Sequence, residues 1–331
     1  MRPSLDIVVV NWNSGDDLRA CLGSIPGALD TAFELRRVIV VDNASRDGSA
    51  DGLGGVEELG LPLLVIRNAD NRGFGAACNQ GARAGDAEHV LFLNPDARLL
   101  PGSLAIPLAH LARPEAAGVG ALGVGLAGED GRTARSCARC PRPATFLWCA
   151  AGLDRLFPRL GYRMAEWDHA STRDVEHVMG AFYLARRRAF EAVSGFDERF
   201  FVYFEDLDLS RRLARAGWRI RYLAEARAYH RGGGTARLAR ARALSYFLRG
   251  RLRYARKHHG RAGWALALCA TLCVEPWSRA LGALAAGRPR DLGAVLGAYA
   301  LLLVPEPRAR RAAVLPPRRA AVRGEALRDA G

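Results

Sequence analysis

Residues 89–96, HVLFLNPD, carry an apolar run that ends abruptly in polar groups. The run at 90–93 has the composition of a buried strand, and Asn94, Pro95 and Asp96 follow it directly. Ligands bind at the carboxyl ends of strands in open α/β sheets. A carboxylate at that position suits a divalent cation on a diphosphate. The alternative is an ordinary turn, in which Asn, Pro and Asp are all common.

Three other polar segments follow predicted strands. Residues 11–13 end the first strand, residues 42–45 end the second, and residues 71–75 open the helix after the third. Each segment alone is also consistent with ordinary loop chemistry. Because parallel strands end at one edge of a sheet, the four segments together predict a nucleotide-diphosphate site.

The second half of the chain supplies candidate catalytic groups. The aromatic segment 201–204 precedes the adjacent carboxylates Glu205 and Asp206. Aromatic side chains around paired carboxylates make a partly desolvated pocket, which raises a carboxyl pKa and suits the group to act as a base. The alternative is an acidic first turn of a helix, stabilised by the helix dipole. His230 precedes three glycines; most single histidines are structural, but this one can bind metal while a flexible loop closes on phosphate.

The elements that must position these groups alternate between strand and helix, which predicts an α/β fold with a mainly parallel sheet buried on both faces. Residues 118–123 match the GxGxxG pattern, but they read as part of a strand, so we reject a dinucleotide site there. The predicted strands are 5–10, 37–41, 63–66, 90–93, 119–126, 178–184 and 219–223; the predicted helices are 15–25, capped by Ser14, one that follows Gly73, and 205–216.

Charge is distributed unevenly along the 331 residues, which carry 48 Lys and Arg against 34 Asp and Glu for a net charge of +14. No acidic residue lies between Glu225 and Glu275, and arginines fill that interval. Such a block predicts an anionic partner, namely a membrane surface, a nucleic acid or an acidic glycan. A nucleic-acid-binding protein is therefore an alternative from another class, although no recognition motif or interleaved aromatic pattern supports it.

The C-terminal third predicts helices rather than strands. Leu244, Leu248 and Leu252 form a stripe among arginines, which is typical of a basic amphipathic helix. Residues 264–286 are apolar but interrupted at Glu275 and Pro276, which favours an interfacial or packed helix over a transmembrane span. We therefore divide the chain into an α/β domain at 1–236, a helical region at 237–304 that attaches to a membrane surface or packs on the enzyme, and a flexible Pro/Arg-rich tail at 305–331.

Seven cysteines and the absence of a signal peptide predict reduced thiols in the cytoplasm. Cys137 and Cys140 form a single CxxC, a weak indication of zinc. Cys269 and Cys273 lie in an apolar stretch, and we expect them in a core or an interface.

Seven segments resemble, in order, those of family 2 glycosyltransferases, most closely the bacterial rhamnosyltransferase-like branch. They are VVVNWN, VIVVDNAS, NRGFGAACNQG, FLNPD, GAFYLARR, GFDERFFVYFEDLDLSRR and AGWRI with a following His. The resemblance covers residues 5–235. It implies a GT-A fold, with a Rossmann-like mixed sheet flanked by helices and a C-terminal helical appendage. It also implies an inverting enzyme that uses a nucleotide sugar and a divalent cation, Mg²⁺ or Mn²⁺.

The resemblance also implies roles for individual residues. Asp42 binds the nucleotide base, Asp96 and His230 bind the metal, and Asp206 is the catalytic base with Glu205 beside it. The first position of the metal-binding DxD motif is Asn94, which leaves one anionic ligand fewer. The residues expected at the nucleotide sugar are Asn11, Trp12, Asn13, Asp42, Asn71, Arg72, Gly73, Asn94 and Asp96.

The implied donor is dTDP-L-rhamnose, and the alternative is galactofuranose or another hexose carried by UDP or GDP. The implied acceptor is a hydroxyl of a lipid-linked or cell-envelope glycan. The enzyme is expected to be a peripheral protein on the inner face of the plasma membrane. No QxxRW signature of processive synthases occurs, which favours the addition of one or a few sugars. An inactive nucleotide-sugar binder is a further alternative, against which the joint presence of Asp96, Asp206 and His230 argues.

Overall fold

A central mixed sheet organises this protein, whose computed structural model describes residues 2–51, 53, 59–232 and 240–304. Within those residues the sheet has nine strands, and β7 and β9 form a separate pair. The strands are β1 (Ser4–Asn11), β2 (Glu34–Asp42), β3 (Leu63–Arg67), β4 (His89–Leu93), β5 (Ala97–Leu99), β6 (Val119–Ala127), β7 (Cys137–Ala138), β8 (Arg173–Val175), β9 (His177–Val178), β10 (Phe182–Arg186) and β11 (Arg219–His230).

Helices cover both faces of the sheet and form the C-terminal region. They are α1 (Asp16–Ser24), α2 (Phe74–Ala84), α3 (Ala105–Ala112), α4 (Pro143–Ala150), α5 (Leu153–Leu156), α6 (Arg187–Ala192), α7 (Glu205–Arg215), α8 (Arg240–Cys269), α9 (Glu275–Ala285) and α10 (Arg290–Leu303).

The strand order is β3-β2-β1-β4-β10-β6-β11-β5, with β8 paired to β11. β1 to β4 run parallel, and Asn11 lies opposite Asp42 where β1 and β2 end. β10 runs antiparallel between β4 and β6. The predicted mixed, mainly parallel sheet with flanking helices is therefore confirmed, and the first four strands deliver their carboxyl ends to one edge.

Both faces of the sheet are buried. Successive side chains of a strand point to opposite faces. Ile7 and Val9 of β1 therefore pack with α1 and α3, whereas Val8 and Val10 pack with α2 and α7. With both faces closed by apolar side chains, polar groups that must remain accessible are confined to the edge where the strands end.

Local details differ from the sequence predictions in three places. Helix α1 begins after Gly15 without a side-chain cap, because the Ser14 hydroxyl donates to the Asn11 side chain instead. The single strand predicted at 178–184 is broken into β9 and β10, because Gly180 directs its N–H to Asp206 rather than to a neighbouring strand. β11 continues past 223 to His230, through a register shift against β6.

The C-terminal region is helical, as predicted. α8 is kinked at Gly260, whose φ of 67° lies in the left-handed region, and a π-helical turn (Ala270–Val274) connects it to α9. Pro276 lies in the first turn of α9, where its missing N–H costs no hydrogen bond. None of the helices within the described residues combines the length and the hydropathy that a membrane span requires.

Two predictions about cysteine are changed. Cys269 and Cys273 are exposed, which excludes the expected core position for both, whereas the alternative of an interface position stays a prediction. Cys137 is buried in β7, and the described residues contain no group of three metal-ligating side chains at the CxxC. The expected boundary after 236 and the tail at 305–331 lie outside the described residues.

Candidate active site

The ends of β1 and β2 form a hydrogen-bonded platform. The Asn11 side-chain amide donates to Asp42 Oδ1 at 2.8 Å and contacts Ser45 Oγ at 3.1 Å and Ser49 Oγ at 2.9 Å. Asn13 adopts a left-handed φ of 49°, and its N–H donates to Ser45 Oγ at 2.9 Å. The structure thus joins the predicted residues Asn11, Asn13 and Asp42, and adds two serines present in the motif but not selected from the sequence.

Trp12 and Arg72 are half-buried beside this platform and the following segment. Asn71 accepts a hydrogen bond from the Gly73 N–H at 2.9 Å, which shapes the turn into α2. Gly73 has a φ of 88°, and an added Cβ would lie 2.5 Å from the Phe201 carbonyl oxygen. Glycine is therefore required at Gly73 by conformation and by contact.

The contact at Gly73 joins the two halves of the site. The Phe74 N–H donates to the Phe201 carbonyl at 2.8 Å, and the Asn43 side chain donates to the Gly73 carbonyl at 3.2 Å. The aromatic segment before α7 is consequently fixed by its backbone to the segment that follows β3.

Asp96 and His230 meet beyond the ends of β4 and β11. Asp96 Oδ1 lies 3.3 Å from His230 Nε2, and the Arg231 N–H donates to the Asp96 carbonyl at 3.1 Å. Burial by itself raises the pKa of Asp96, but the hydrogen bond and charge of His230 outweigh it and hold that pKa below its ordinary value. The carboxylate is therefore ionised at neutral pH and oriented by the imidazole.

This pair fits a cation that a diphosphate also coordinates. Mg²⁺ and Mn²⁺ are commonly held by one or two carboxylates together with substrate phosphates, and an imidazole is an acceptable additional ligand. Asn94 contributes no charge; its backbone N–H donates to Ala181 at 3.0 Å, and its carbonyl accepts from Ala97 at 3.1 Å. The described residues hold no group of three His, Cys, Asp or Glu at this point.

Asp206 lies at the start of α7 with its side chain 19% exposed. Its Oδ2 accepts from the Gly180 N–H at 2.9 Å, and its Oδ1 accepts from the Leu207 N–H at 2.8 Å. These two backbone donors fix the carboxylate while leaving part of it accessible. Tyr203 and Phe204, which precede the helix, both have a φ of 69°, a strained conformation that no glycine in the sequence indicated.

Glu205 has a different environment from its neighbour. It is buried, and its Oε2 has no hydrogen-bond partner among the described residues. Burial, reinforced by the charge of Asp206, raises the pKa of Glu205 well above its ordinary value. The desolvation that the aromatic segment predicted therefore acts on Glu205 and favours its neutral form, while Asp206 is the accessible carboxylate of the pair.

The third acid of α7 makes a structural connection that the sequence did not reveal. Asp208 is fully buried and contacts Arg212 at 2.7 Å, Lys257 at 2.6 Å and His258 at 2.7 Å. Lys257 also contacts Asp197 at 2.6 Å. Helix α8 is thus attached to the helix that carries the candidate base.

Much of the predicted basic block is occupied by contacts inside the molecule. Arg251 is buried against Glu275 and Thr271. Arg249 donates to the carbonyls of Leu301 and Val304 at the end of α10, and Arg253 donates to the carbonyl of Arg199. Only part of the positive charge counted in the sequence therefore faces solvent, and Arg256 is an exposed example.

Comparisons with known proteins identify the family and the fold of the chain. A family model described as Glycosyl transferase family 2 matches residues 6–193. An N-acetylglucosaminyl-diphospho-decaprenol L-rhamnosyltransferase of Mycobacterium tuberculosis is 33% identical over 246 residues, covering 70% of this chain and 76% of the relative.

Two solved structures share the fold. The mannosyltransferase PcManGT of Pyrobaculum calidifontis, in complex with GDP-Man and Mn²⁺, is 20% identical with a TM-score of 0.57, covering 92% of this chain and 88% of its own. GalNAc-T7 with UDP, GalNAc and Mn²⁺ is 13% identical with a TM-score of 0.53, covering 87% and 58%. With the family model matching more than half of its length, this chain belongs to glycosyltransferase family 2, in which it is rhamnosyltransferase-like.

Proposed function

We propose that this glycosyltransferase moves a sugar from a nucleotide diphosphate, with inversion, to a hydroxyl of a lipid-linked or cell-envelope glycan. The observation that carries the proposal is the link between base and cation site through two consecutive residues. Gly180 donates its N–H to the Asp206 carboxylate, and Ala181 accepts at its carbonyl from Asn94. The group that takes a proton and the segment that meets the diphosphate are therefore held side by side.

Each half of the site has a defined role in this proposal. Asp206, fixed by two backbone N–H groups, accepts the proton of the attacking hydroxyl. Asp96 and His230 are the residues that hold Mg²⁺ or Mn²⁺, which when bound neutralises charge on the leaving diphosphate. Burial favours the neutral form of Glu205 behind the base, which reduces the repulsion between two adjacent carboxylates. Asn11, Asn13 and Asp42 orient the nucleotide, with Trp12, Asn71, Arg72 and Gly73 beside it.

The donor that we favour is dTDP-L-rhamnose, because the relative that is 33% identical is a rhamnosyltransferase. Galactofuranose or another hexose on UDP or GDP is the alternative, and PcManGT in complex with GDP-Man shows that this fold accommodates other nucleotides. The name of the rhamnosyltransferase relative also supports a lipid-diphosphate glycan as the acceptor.

A thermal-shift panel of nucleotide sugars with and without Mn²⁺ tests the donor. A ligand at 100 times its Kd stabilises the native state by about 2.7 kcal/mol. We expect dTDP-rhamnose with Mn²⁺ to give the largest shift and Asp42→Asn to reduce it. Product NMR then reports whether the anomeric configuration inverts. A panel in which no nucleotide sugar stabilises the protein contradicts the proposed function.

We further propose that the enzyme works at the cytoplasmic membrane face, through a surface different from the basic block. An apolar ridge is formed by Trp277, Leu281 and Leu284 on one face of α9 and by Leu156 and Phe157 at the end of α5. Trp277 is 71% exposed and Leu156 is 73% exposed. The exposed Arg155 and Arg159 flank the ridge, which matches an anionic bilayer.

Flotation with anionic liposomes decides which surface binds. We expect Trp277→Ser with Leu281→Ser to abolish binding and Arg256→Gln to weaken it slightly. Arg249, Arg251 and Arg253 are unsuitable probes, because their substitution disturbs internal contacts. A wild-type protein that ignores anionic liposomes at low salt supports instead an appendage that only packs on the enzyme.

A further inference from the structure

A chain of buried polar side chains lies directly behind the candidate base. His177 Nε2 is 3.7 Å from Asp206 Oδ2, just beyond hydrogen-bonding distance. His177 Nδ1 lies 3.0 Å from Ser210 Oγ, and Ser210 Oγ lies 3.1 Å from the Tyr183 hydroxyl. All three side chains are buried, and we call them the His177 chain.

Two arrangements of the protons run in one direction through all three side chains, because each hydroxyl has one proton to donate. In the first, Tyr183 donates to Ser210, Ser210 donates to His177 Nδ1, and the neutral imidazole carries its proton on Nε2, facing Asp206. In the second, Nδ1 donates to Ser210 and Ser210 donates to Tyr183. The phenolic proton then has no acceptor among the described residues, and a nitrogen lone pair faces the carboxylate. A third arrangement, in which Ser210 accepts from both neighbours, leaves the Ser210 proton without an acceptor among the described residues.

The first arrangement is favoured because both hydroxyl protons have an acceptor, and because the imidazole turns a proton rather than a lone pair toward the Asp206 carboxylate. A buried donor without a partner costs about 1–3 kcal/mol, and the repulsion between a lone pair and a carboxylate adds to that cost. Burial lowers the pKa of His177 despite the opposing charge of Asp206, so the ring is neutral at physiological pH. Burial likewise raises the pKa of Tyr183, which keeps its proton.

We propose that His177 is a positioning residue, whose tautomer is fixed by Ser210 and Tyr183 so that its Nε2–H dipole faces the base carboxylate. The dipole favours the ionised carboxylate in the orientation set by the Gly180 N–H, leaving the accessible part of Asp206 for the acceptor. The inference rests on the proposed role of Asp206 as base. This arrangement could not be predicted from the sequence, because residues 177, 183 and 206 belong to three separate elements.

Nitrogen NMR of the histidine rings tests the tautomer without any substrate. The protein has seven histidines, and the set of ring signals that is lost in His177→Gln identifies those of His177. At pH 7.5 we expect a neutral ring protonated on Nε2, and in Ser210→Ala a mixture of both tautomers. A ring protonated on Nδ1 in the wild-type protein overturns the proposal, whatever the enzyme transfers.

Steady-state kinetics test the functional consequence. His177→Ala is expected to lower kcat by about tenfold with the donor KM unchanged, in the range seen when outer partners of active-site ligands are removed. His177→Gln, whose amide can present an N–H toward Asp206, should recover most of that loss. His110→Gln, at a buried histidine next to Arg221, is the matched control and should retain wild-type kcat.

The kinetic outcomes separate the possible failures. Equal loss in His177→Ala and His177→Gln, with both variants folded by circular dichroism, overturns the positioning role. Wild-type turnover in Asp206→Asn contradicts the assignment of Asp206 as the base. The tautomer of His177, which is measured without substrate, does not depend on that assignment.

Discussion

The polar edge of the sheet and helix α8 both carry many charged residues, but the charged side chains of the two regions have different interaction partners. At the edge, Asp96 has His230 as its side-chain partner, and Asp206 is held by backbone N–H groups with its side chain 19% exposed. On α8, Arg251 and Lys257 are engaged with buried carboxylates of the same chain. A count of charges therefore does not report which ones remain available to a ligand; the identity of their partners does.

The contrast between the accessible charges of the sheet edge and the paired charges of α8 is tested most strongly at Asp206, the proposed base. We expect Asp206→Asn to lower kcat by at least about 10²-fold while donor binding is retained, because the amide keeps the shape but cannot accept the proton. Glu129→Gln, at an exposed turn, is the control. Transfer kinetics and nucleotide-sugar titration measure the two quantities, and near-normal turnover of the variant would show that the accessible carboxylate is not the base.

The second test concerns the α8 side chains that form ion pairs with buried carboxylates. Arg251→Met should reduce the free energy of unfolding by about 3 kcal/mol, because it leaves buried Glu275 without one of its partners. The exposed Arg256→Gln should change it by less than about 0.5 kcal/mol. Urea denaturation of both variants gives the comparison. Similar small losses would mean that Arg251 is solvated like Arg256.

The third test asks whether the Asp96–His230 pair is available to a cation. Asp96→Ala and His230→Ala should each weaken Mn²⁺-dependent binding of the nucleotide diphosphate by about tenfold or more, with little effect on folding. Calorimetric titration with and without Mn²⁺ measures this. If the metal dependence is unchanged in both variants, the cation is bound elsewhere.

The smallest expected effect is the pH dependence of stability at the junction between α8 and the segment before α7, where Asp197 contacts Lys257. Burial opposes ionisation of Asp197, but hydrogen bonds from Arg199 and Lys257 hold its pKa below the ordinary value. A depressed folded-state pKa gives stability that is complete above the unfolded pKa of about 3.9 and is lost as pH falls through the folded value. The stability difference between wild type and Asp197→Asn should therefore be constant above about pH 5 and shrink below about pH 4.

Unfolding measured by urea at several pH values checks this last expectation, with Glu129→Gln as the control. A difference between wild type and Asp197→Asn that persists unchanged at the lowest pH would show that the carboxylate charge does not stabilise the junction.

The edge of the sheet was predictable because its information is local. An apolar strand followed at once by Asn or Asp identified the segments at Asn11, Asp42 and Asp96, and parallel pairing brings such segments together. The contacts of α8 were not predictable, because Lys257 and Asp197 are 60 positions apart and nothing in either segment specifies the other. The left-handed backbone at Tyr203 and Phe204 was missed for a different reason, since aromatic residues rarely adopt it.

The backbone contact at Gly73 limits how this enzyme can acquire a new specificity. The spacing between the segment that follows β3 and the aromatic segment before α7 is set by main-chain atoms, and even one methyl group at Gly73 would collide with the Phe201 carbonyl. Evolution or engineering can therefore change the donor or the acceptor through side chains on either side of that contact.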